Sequence, residues 1–314
     1  MATESVLITT SRPLPAVNVH SPFTVATYAR VADYWALTKP EVNFLIGVTT
    51  LTGFYLACPG PLHKIPLLLL VHTLLGTLLV ASGTGALNQY AERRFDAQMR
   101  RTARRPLAAG RLKPSVALSF GVALSAVGSI YLAVEVNPLA SLLAILTLLS
   151  YLFMYTPLKR KTPLCTLVGA FPGAMPTLIG WAAASGKLTW EASILYAMLF
   201  LWQFPHFMAI AWMYREDYDR AGYCVLPAGR LRGGFISWMT LLPILALIVL
   251  SLAPAVMGHH GLLYSVGVVM LGSTFLCYGA QLALRKSNSG ARRLLLASIF
   301  YLPLVFVAMM IDKG

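Results

Sequence analysis

The stretch Asn88-Gln89-Tyr90-Ala91-Glu92-Arg93-Arg94-Phe95-Asp96 closes an apolar run that begins near residue 66 and opens a loop crowded with arginine. The run before it is long enough to cross a hydrocarbon core, which takes about 20 apolar residues. Asn88, Glu92 and Asp96 stand at i, i+4 and i+8. On a helix each such step turns about 400°, so the three drift by about 40° per step and share one face. The stretch therefore reads as the polar end of a membrane helix. Ionisable groups there are costly to desolvate and usually mark a site. Three stacked oxygen-bearing side chains beside a cluster of cations suit a hard divalent cation bridging to a phosphate. The plainer reading of the same residues is a charged helix end stabilised by i, i+4 pairs.

Composition extends this reading to the whole chain. Of its 314 residues 57% are hydrophobic and 11% charged, with a mean hydropathy of +0.69. A soluble domain has about 25% charged residues. The long apolar runs predict an all-α polytopic membrane protein, not a barrel of strands about 10 residues long. About nine spans are expected, near residues 42–58, 66–91, 115–134, 138–155, 164–184, 191–214, 235–257, 262–284 and 294–311. Residues 1–36 read as an N-terminal arm with a surface helix around 28–38. The arm lacks the charged start, apolar middle and small-residue cleavage site of a secretory signal. With few arginines (Arg12, Arg30) and with Glu4, it gives little support to a mitochondrial transit peptide.

Loop charge sets the orientation. Arg93, Arg94, Arg100, Arg101, Arg104, Arg105, Arg111 and Lys113 follow the second span. Lys159, Arg160 and Lys161 follow the fourth, Arg215, Arg220, Arg230 and Arg232 the sixth, and Arg285, Lys286, Arg292 and Arg293 the eighth. The alternate loops hold little beyond Lys64 and Lys187. The positive-inside rule places the arginine loops and the N-terminus in the cytoplasm. The expected location is a bacterial cytoplasmic (inner) membrane, with an organelle left open. Because the net charge of +14 is concentrated on one membrane side, a nucleic-acid partner is unattractive. Attraction to anionic lipid explains part of that charge, and binding of an anionic substrate explains the rest. Cys58, Cys165 and Cys277 read as membrane packing residues, Cys224 as a loop residue, and His259-His260 as a surface turn.

A second acidic helix end lies four spans after the first, in Tyr214-Arg215-Glu216-Asp217-Tyr218-Asp219-Arg220. Of the 11 acidic residues, Glu92, Asp96, Glu216, Asp217 and Asp219 fall at these two places. Two carboxylate clusters facing across a cavity open to the cytoplasmic side, rimmed by Arg and Lys, match a diphosphate held through magnesium, which takes one or two carboxylates together with substrate phosphates. The membrane setting points to an apolar, isoprenoid chain on that diphosphate. A secondary transporter is a rival reading, but it would place its charges near the midplane. A structural subunit of a respiratory assembly would need no facing acidic clusters.

At these residues the chain resembles the UbiA superfamily of intramembrane prenyltransferases, and within it the heme O synthase (protoheme IX farnesyltransferase) branch. The resemblance rests on Asn88 to Asp96 followed by Met99, Arg101, Thr102, Arg105, Pro106 and Leu107. It includes Leu37-Thr38-Lys39-Pro40, Tyr155 to Arg160, and Leu201-Trp202-Gln203-Phe204-Pro205-His206-Phe207. It runs on through Tyr214, Asp217, Tyr218, Ala221-Gly222 and Leu226-Pro227. Glu92 departs from the family pattern, which has Asp there. The resemblance implies a transmembrane prenyltransferase domain over residues 37–314 and farnesyl transfer from farnesyl diphosphate to a vinyl group of heme B, giving heme O and pyrophosphate. A quinone precursor or chlorophyllide is the alternative acceptor. It implies Mg2+ held by Asn88, Glu92, Asp96 and Asp217, with Lys159 and Arg160 near the diphosphate and Arg101 and Arg105 as further candidates. Tyr155 and Tyr218 would orient substrate, while their place at a membrane edge equally suits interfacial anchors, and Tyr214 is a further substrate-binding candidate. For His206 two roles stay open, a heme contact and a hydrogen bond to a neighbouring helix. Heme A synthase or oxidase assembly factors are the implied protein partners.

Overall fold

Residues 22–60, 65–258 and 261–312 are described by a computed structural model of the chain, with side chains from residue 30 onward. Residues 1–21, Lys64 and the His259-His260 pair lie outside it, and with them the readings of the arm and the histidine turn. Among the described residues every regular element is helical.

Helix α1 (Pro22–Leu37) leads through an elbow at Thr38-Lys39 into α2 (Pro40–Ala57). Next come α3 (Leu67–Asp96), α4 (Pro114–Glu135) and α5 (Pro138–Leu149). The last continues through a π-helical turn, Ser150–Tyr155, into a final turn, α6 (Thr156–Leu158). The remaining helices are α7 (Cys165–Ser185), α8 (Trp190–Met213), the short α9 (Arg215–Arg220), α10 (Leu231–Val256), α11 (Leu262–Arg285) and α12 (Asn288–Ile311). Proline opens α2, α4 and α5 at positions whose backbone N–H would be unpaired anyway. The Asn137 side chain caps α5 by accepting from the Ala140 N–H at 2.8 Å.

Among the described residues eight segments are long and apolar enough to cross a membrane: α3, α4, the α5–α6 unit, α7, α8, α10, α11 and α12. The ninth expected span, α2, is helical but less apolar, because it carries Glu41, Asn43 and the buried threonines Thr49, Thr50 and Thr52. Small residues let its backbone sink against α7. A Cβ on Gly53 would stand 2.1 Å from the Thr177 carbonyl oxygen, and one on Gly180 would stand 2.0 Å from that of Thr50. Helices α3 and α4 close on each other in the same way through Gly76, Gly83, Gly121 and Gly128. Lipid gives no hydrophobic force between helices, so such close van der Waals packing is what joins them.

Some helix ends differ from expectation. Helix α12 starts at Asn288, not near 294, because the Ser287 hydroxyl caps it by accepting from the Gly290 N–H at 3.1 Å. Arg292 and Arg293 are therefore helical. Cys58 and Cys165 are buried and Cys224 is half-buried in a loop, but Cys277 is exposed on α11 and is not a packing residue. Apolar periodicity cannot separate helix-facing from outward-facing positions where both environments are apolar.

Candidate active site

The last turns of α3 carry Asn88, Glu92 and Asp96, all three buried. A cation from a different chain segment meets each one. The Lys39 Nζ, on the α1–α2 elbow, donates to Asn88 Oδ1 at 2.6 Å. The Lys159 Nζ, just past α6, donates to Glu92 Oε1 at 2.8 Å. The Arg105 Nη1, on the loop after α3, donates to Asp96 Oδ2 at 2.8 Å. The other oxygen of that carboxylate, Asp96 Oδ1, is buried without a hydrogen-bond partner among the described residues. The Asn88 amide also donates to Thr156 Oγ1 at 3.4 Å, and Thr102 Oγ1 donates to the Asp96 carbonyl at 2.9 Å, fixing the turn that returns Arg105.

The two lysines respond differently to this setting. Burial, followed by the nearby Arg105 guanidinium, pushes the Lys39 ammonium down to about 7. Burial weighs on Lys159 too, but the Tyr155 phenol and the Glu92 carboxylate more than offset it and hold that ammonium well above the usual lysine value. An ammonium facing a neutral amide gains less than one facing a carboxylate.

The second acidic segment contributes one residue to this end of the bundle. Asp217, on α9, is buried, accepts from the Arg101 backbone N–H at 3.4 Å and pairs with Arg220 at 3.2 Å. Its neighbours turn away. The Glu216 side chain is 78% exposed, and Asp219, 52% exposed, pairs with Arg232 at 2.9 Å. Arg101 ties the two halves together: Nη2 donates to the Tyr218 hydroxyl at 3.3 Å, and its guanidinium lies 5.1 Å from the centre of the Tyr214 ring. The loop after α9 is fastened to the lysine–arginine loop, since the Cys224 N–H donates to the Lys159 carbonyl at 2.6 Å.

Lys159 and Arg160, expected side by side at a diphosphate, part company. Lys159 turns to Glu92 and covers the Tyr155 ring at 4.5 Å, while Arg160 lies over Phe95 at 4.4 Å. Arg160 lines a cavity of about 370 Å3 with Glu92, Leu152, Phe153, Thr156 and Tyr223. His206 makes its recorded contacts away from the carboxylates. Its ring stacks on Trp202 at 4.7 Å, and Nδ1 lies 2.8 Å from Ser298 Oγ on α12. The Ser298 hydroxyl donates its one proton to the Leu295 carbonyl at 2.6 Å, so the network assigns the donor role to His206 Nδ1 and leaves Nε2 with its lone pair.

Among the described residues no group of three or more His, Cys, Asp or Glu side chains stands close enough to cage a metal unaided. The donors still fit magnesium, which asks a protein for one or two carboxylates and takes other oxygens from phosphates. The bare, buried Asp96 Oδ1 is the clearest sign of that fit. Three contributors escaped the sequence reading. Lys39 was visible only as part of a Lys-Pro pair. Thr156 stood inside the Tyr155–Arg160 stretch without a role assigned to it, its partner Asn88 being 68 residues away, and Tyr223, which lines the cavity, gave no local signal.

A model of the UbiA prenyltransferase family matches residues 46–304. The chain is 48% identical over 287 residues to a protoheme IX farnesyltransferase of Solibacter usitatus, covering 90% of this chain and 98% of that protein. It is 41% identical to the enzyme of that name from Koribacter versatilis, covering 90% and 93%. In fold it is similar to a digeranylgeranylglyceryl phosphate synthase, with a TM-score of 0.73 at 17% identity over 90% of this chain and 98% of that one. It is also similar to a UbiA homologue of Archaeoglobus fulgidus bound to GPP and Mg2+, with a TM-score of 0.61 at 13% identity, covering 88% and 99%. The match spans most of the chain, and the chain belongs to the UbiA prenyltransferase family.

Proposed function

We propose that this enzyme transfers a farnesyl group from farnesyl diphosphate to a vinyl group of heme B, giving heme O and pyrophosphate. One observation carries the reading at the site. Three buried acceptors on one face of α3 are each met by a separate cation, and one carboxylate oxygen is left bare. The names of the relatives supply the acceptor.

In this reading Asn88, Glu92 and Asp96 would hold Mg2+, and Asp217 would join them only through the diphosphate, since the three carboxylates do not stand close enough to share one ion. Bound there, magnesium supplies positive charge against the pyrophosphate that departs. Arg105, Lys159 and Arg101 bind and orient the diphosphate, and their charges favour its departure further. The allylic carbon–oxygen bond breaks, with its electron pair leaving on pyrophosphate. The apolar walls around Phe95, Leu152 and Phe153 keep water from the cation until the vinyl carbon has attacked it. Water then adds to the resulting cation and loses a proton, which leaves the hydroxyethyl group of the product. Tyr155 and Tyr218 orient substrate, and His206 offers Nε2 to heme iron, its other ring nitrogen being fixed by Ser298 as in metal-bound histidines generally. The arginine-rich end faces the cytoplasm of a bacterial cell.

Purified protein incubated with heme B, farnesyl diphosphate and Mg2+ is expected to yield a later-eluting heme with the mass of a hydroxyethylfarnesyl derivative, lost on adding EDTA. Pyrophosphate release with an aromatic acceptor, and no new heme, would overturn the acceptor and keep the chemistry.

A further inference from the structure

We infer that Lys39 is a displaceable cation that holds the Asn88 oxygen until a diphosphate takes the lysine over, so that the divalent ion and the diphosphate enter the site together. The inference rests on the reading of α3 as a metal–diphosphate centre and adds a binding order to it.

The argument starts from the number of oxygens. Glu92 and Asp96 can each give one oxygen to a lysine or arginine and the other to a metal, and Asp96 Oδ1 is in fact bare. Asn88 has a single oxygen, and its amide nitrogen is turned to Thr156. Lys39 sits on that oxygen at 2.6 Å. A metal ion and the Lys39 ammonium therefore compete for one atom, whereas Lys159 and Arg105 can stay where they are.

The chain also fixes where Lys39 begins. The Gln89 amide donates to the carbonyls of Ala36 at 2.9 Å and Leu37 at 3.2 Å, fastening the elbow to α3 one residue after Asn88. One turn earlier Gly85 leaves room for it: a Cβ there would meet the Leu37 carbonyl oxygen at 3.3 Å and Lys39 Cγ at 3.5 Å. Lys39 itself adopts φ 54, ψ 63, a left-handed conformation rarely taken by side-chain-bearing residues and disfavoured again before Pro40. Such a backbone persists only where its surroundings over-determine it. The elbow is thus a rigid mount, and the four-carbon stem is the part free to swing.

A neutral amide oxygen is a weaker partner for an ammonium than a phosphate oxygen is. A metal arriving alone must eject Lys39 with no anion to receive it and then share the space with an unpaired cation. A diphosphate arriving alone brings its charge up to Glu92 and Asp96. When both arrive, Lys39 moves from Asn88 to the diphosphate and the metal takes the vacated oxygen. By linkage, each ligand must then raise the affinity for the other by the same factor.

The test uses the full-length protein in detergent, with Mn2+ followed by its electron spin resonance signal and inorganic pyrophosphate by calorimetry. The variants are Lys39→Asn and Lys39→Gly, which both tolerate a left-handed backbone and both remove the cation, and Lys39→Arg, which keeps it. In the first two, affinity for Mn2+ alone is expected to rise about tenfold while affinity for pyrophosphate in saturating Mn2+ falls about tenfold, within the range usual for coupled sites. Lys39→Arg is expected to stay near wild type in both. Affinity for Mn2+ alone that is unchanged or lower in the Asn and Gly variants would overturn the inference. Wild-type protein that binds neither Mn2+ nor pyrophosphate when both are supplied together would overturn the metal–diphosphate reading itself.

Discussion

The two acidic helix ends are alike in sequence and unlike in structure. At the end of α3 three acceptors are buried and each is matched to its own cation. At α9 only Asp217 is buried, while Glu216 and Asp219 face outward. The difference follows from helix length. Helix α3 runs unbroken to Asp96, so i, i+4, i+8 spacing keeps all three side chains on one inward face. Helix α8 ends at Met213, Tyr214 leaves the helical conformation (φ −108, ψ 19), and α9 runs for six residues, too short to stack a row. Charge at a helix end marks a place to look, and continuity of the helix decides how many of its charges reach the interior.

That contrast can be broken by mutation, and the largest expected effect is on the α3 side. Asp96→Ala should lower turnover by about a hundredfold to a thousandfold with the protein still inserted, the range expected when a preorganised group at a reacting centre is removed. Full activity in a folded variant would remove Asp96 from the metal set. Asp217→Asn should cost less, about tenfold to a hundredfold in product formation measured by chromatography, because Asp217 stands alone on its side. A loss as deep as that of Asp96→Ala would make the two ends equal partners after all. His206→Ala should shift the absorption of bound heme with little effect on pyrophosphate binding. An unchanged spectrum would reduce His206 to a bridge between α8 and α12. Glu216→Ala should change turnover by less than about twofold and stability by at most about 1 kcal/mol, the value of an exposed ion pair. A large loss there would mean that α9 is drawn inward when substrate binds.

The legible part of this protein was what local patterning dictates. Eight of the expected spans, the row on α3 and the charged character of one end follow from apolar length and four-residue spacing. The pairing of each acceptor with its cation was not legible, because Lys39 lies 49 residues from Asn88 and Lys159 lies 67 from Glu92. Neither was the opposite course of Lys159 and Arg160, since adjacent side chains on a turn diverge and only the packing of Phe95 and Tyr155 assigns them. Charge alone did not separate Glu216 and Asp219 from Asp217, which only the family resemblance singled out, because the break after Met213 carries no proline or glycine to announce it.

The π-helical turn Ser150–Tyr155 sets the angular phase of everything after it. A π turn holds one residue more than the α turn it replaces, and one residue is about 100° of rotation on an α-helix. Deleting a single residue from the turn itself would let it close to an α turn of nearly the same sweep, whereas the same deletion in α5 would leave the span nearly as long and as apolar, yet Thr156 and Lys159 would arrive rotated away from Asn88 and Glu92. For that segment membrane insertion and chemistry are set by separate quantities: the first reads the length of the helix, the second its phase.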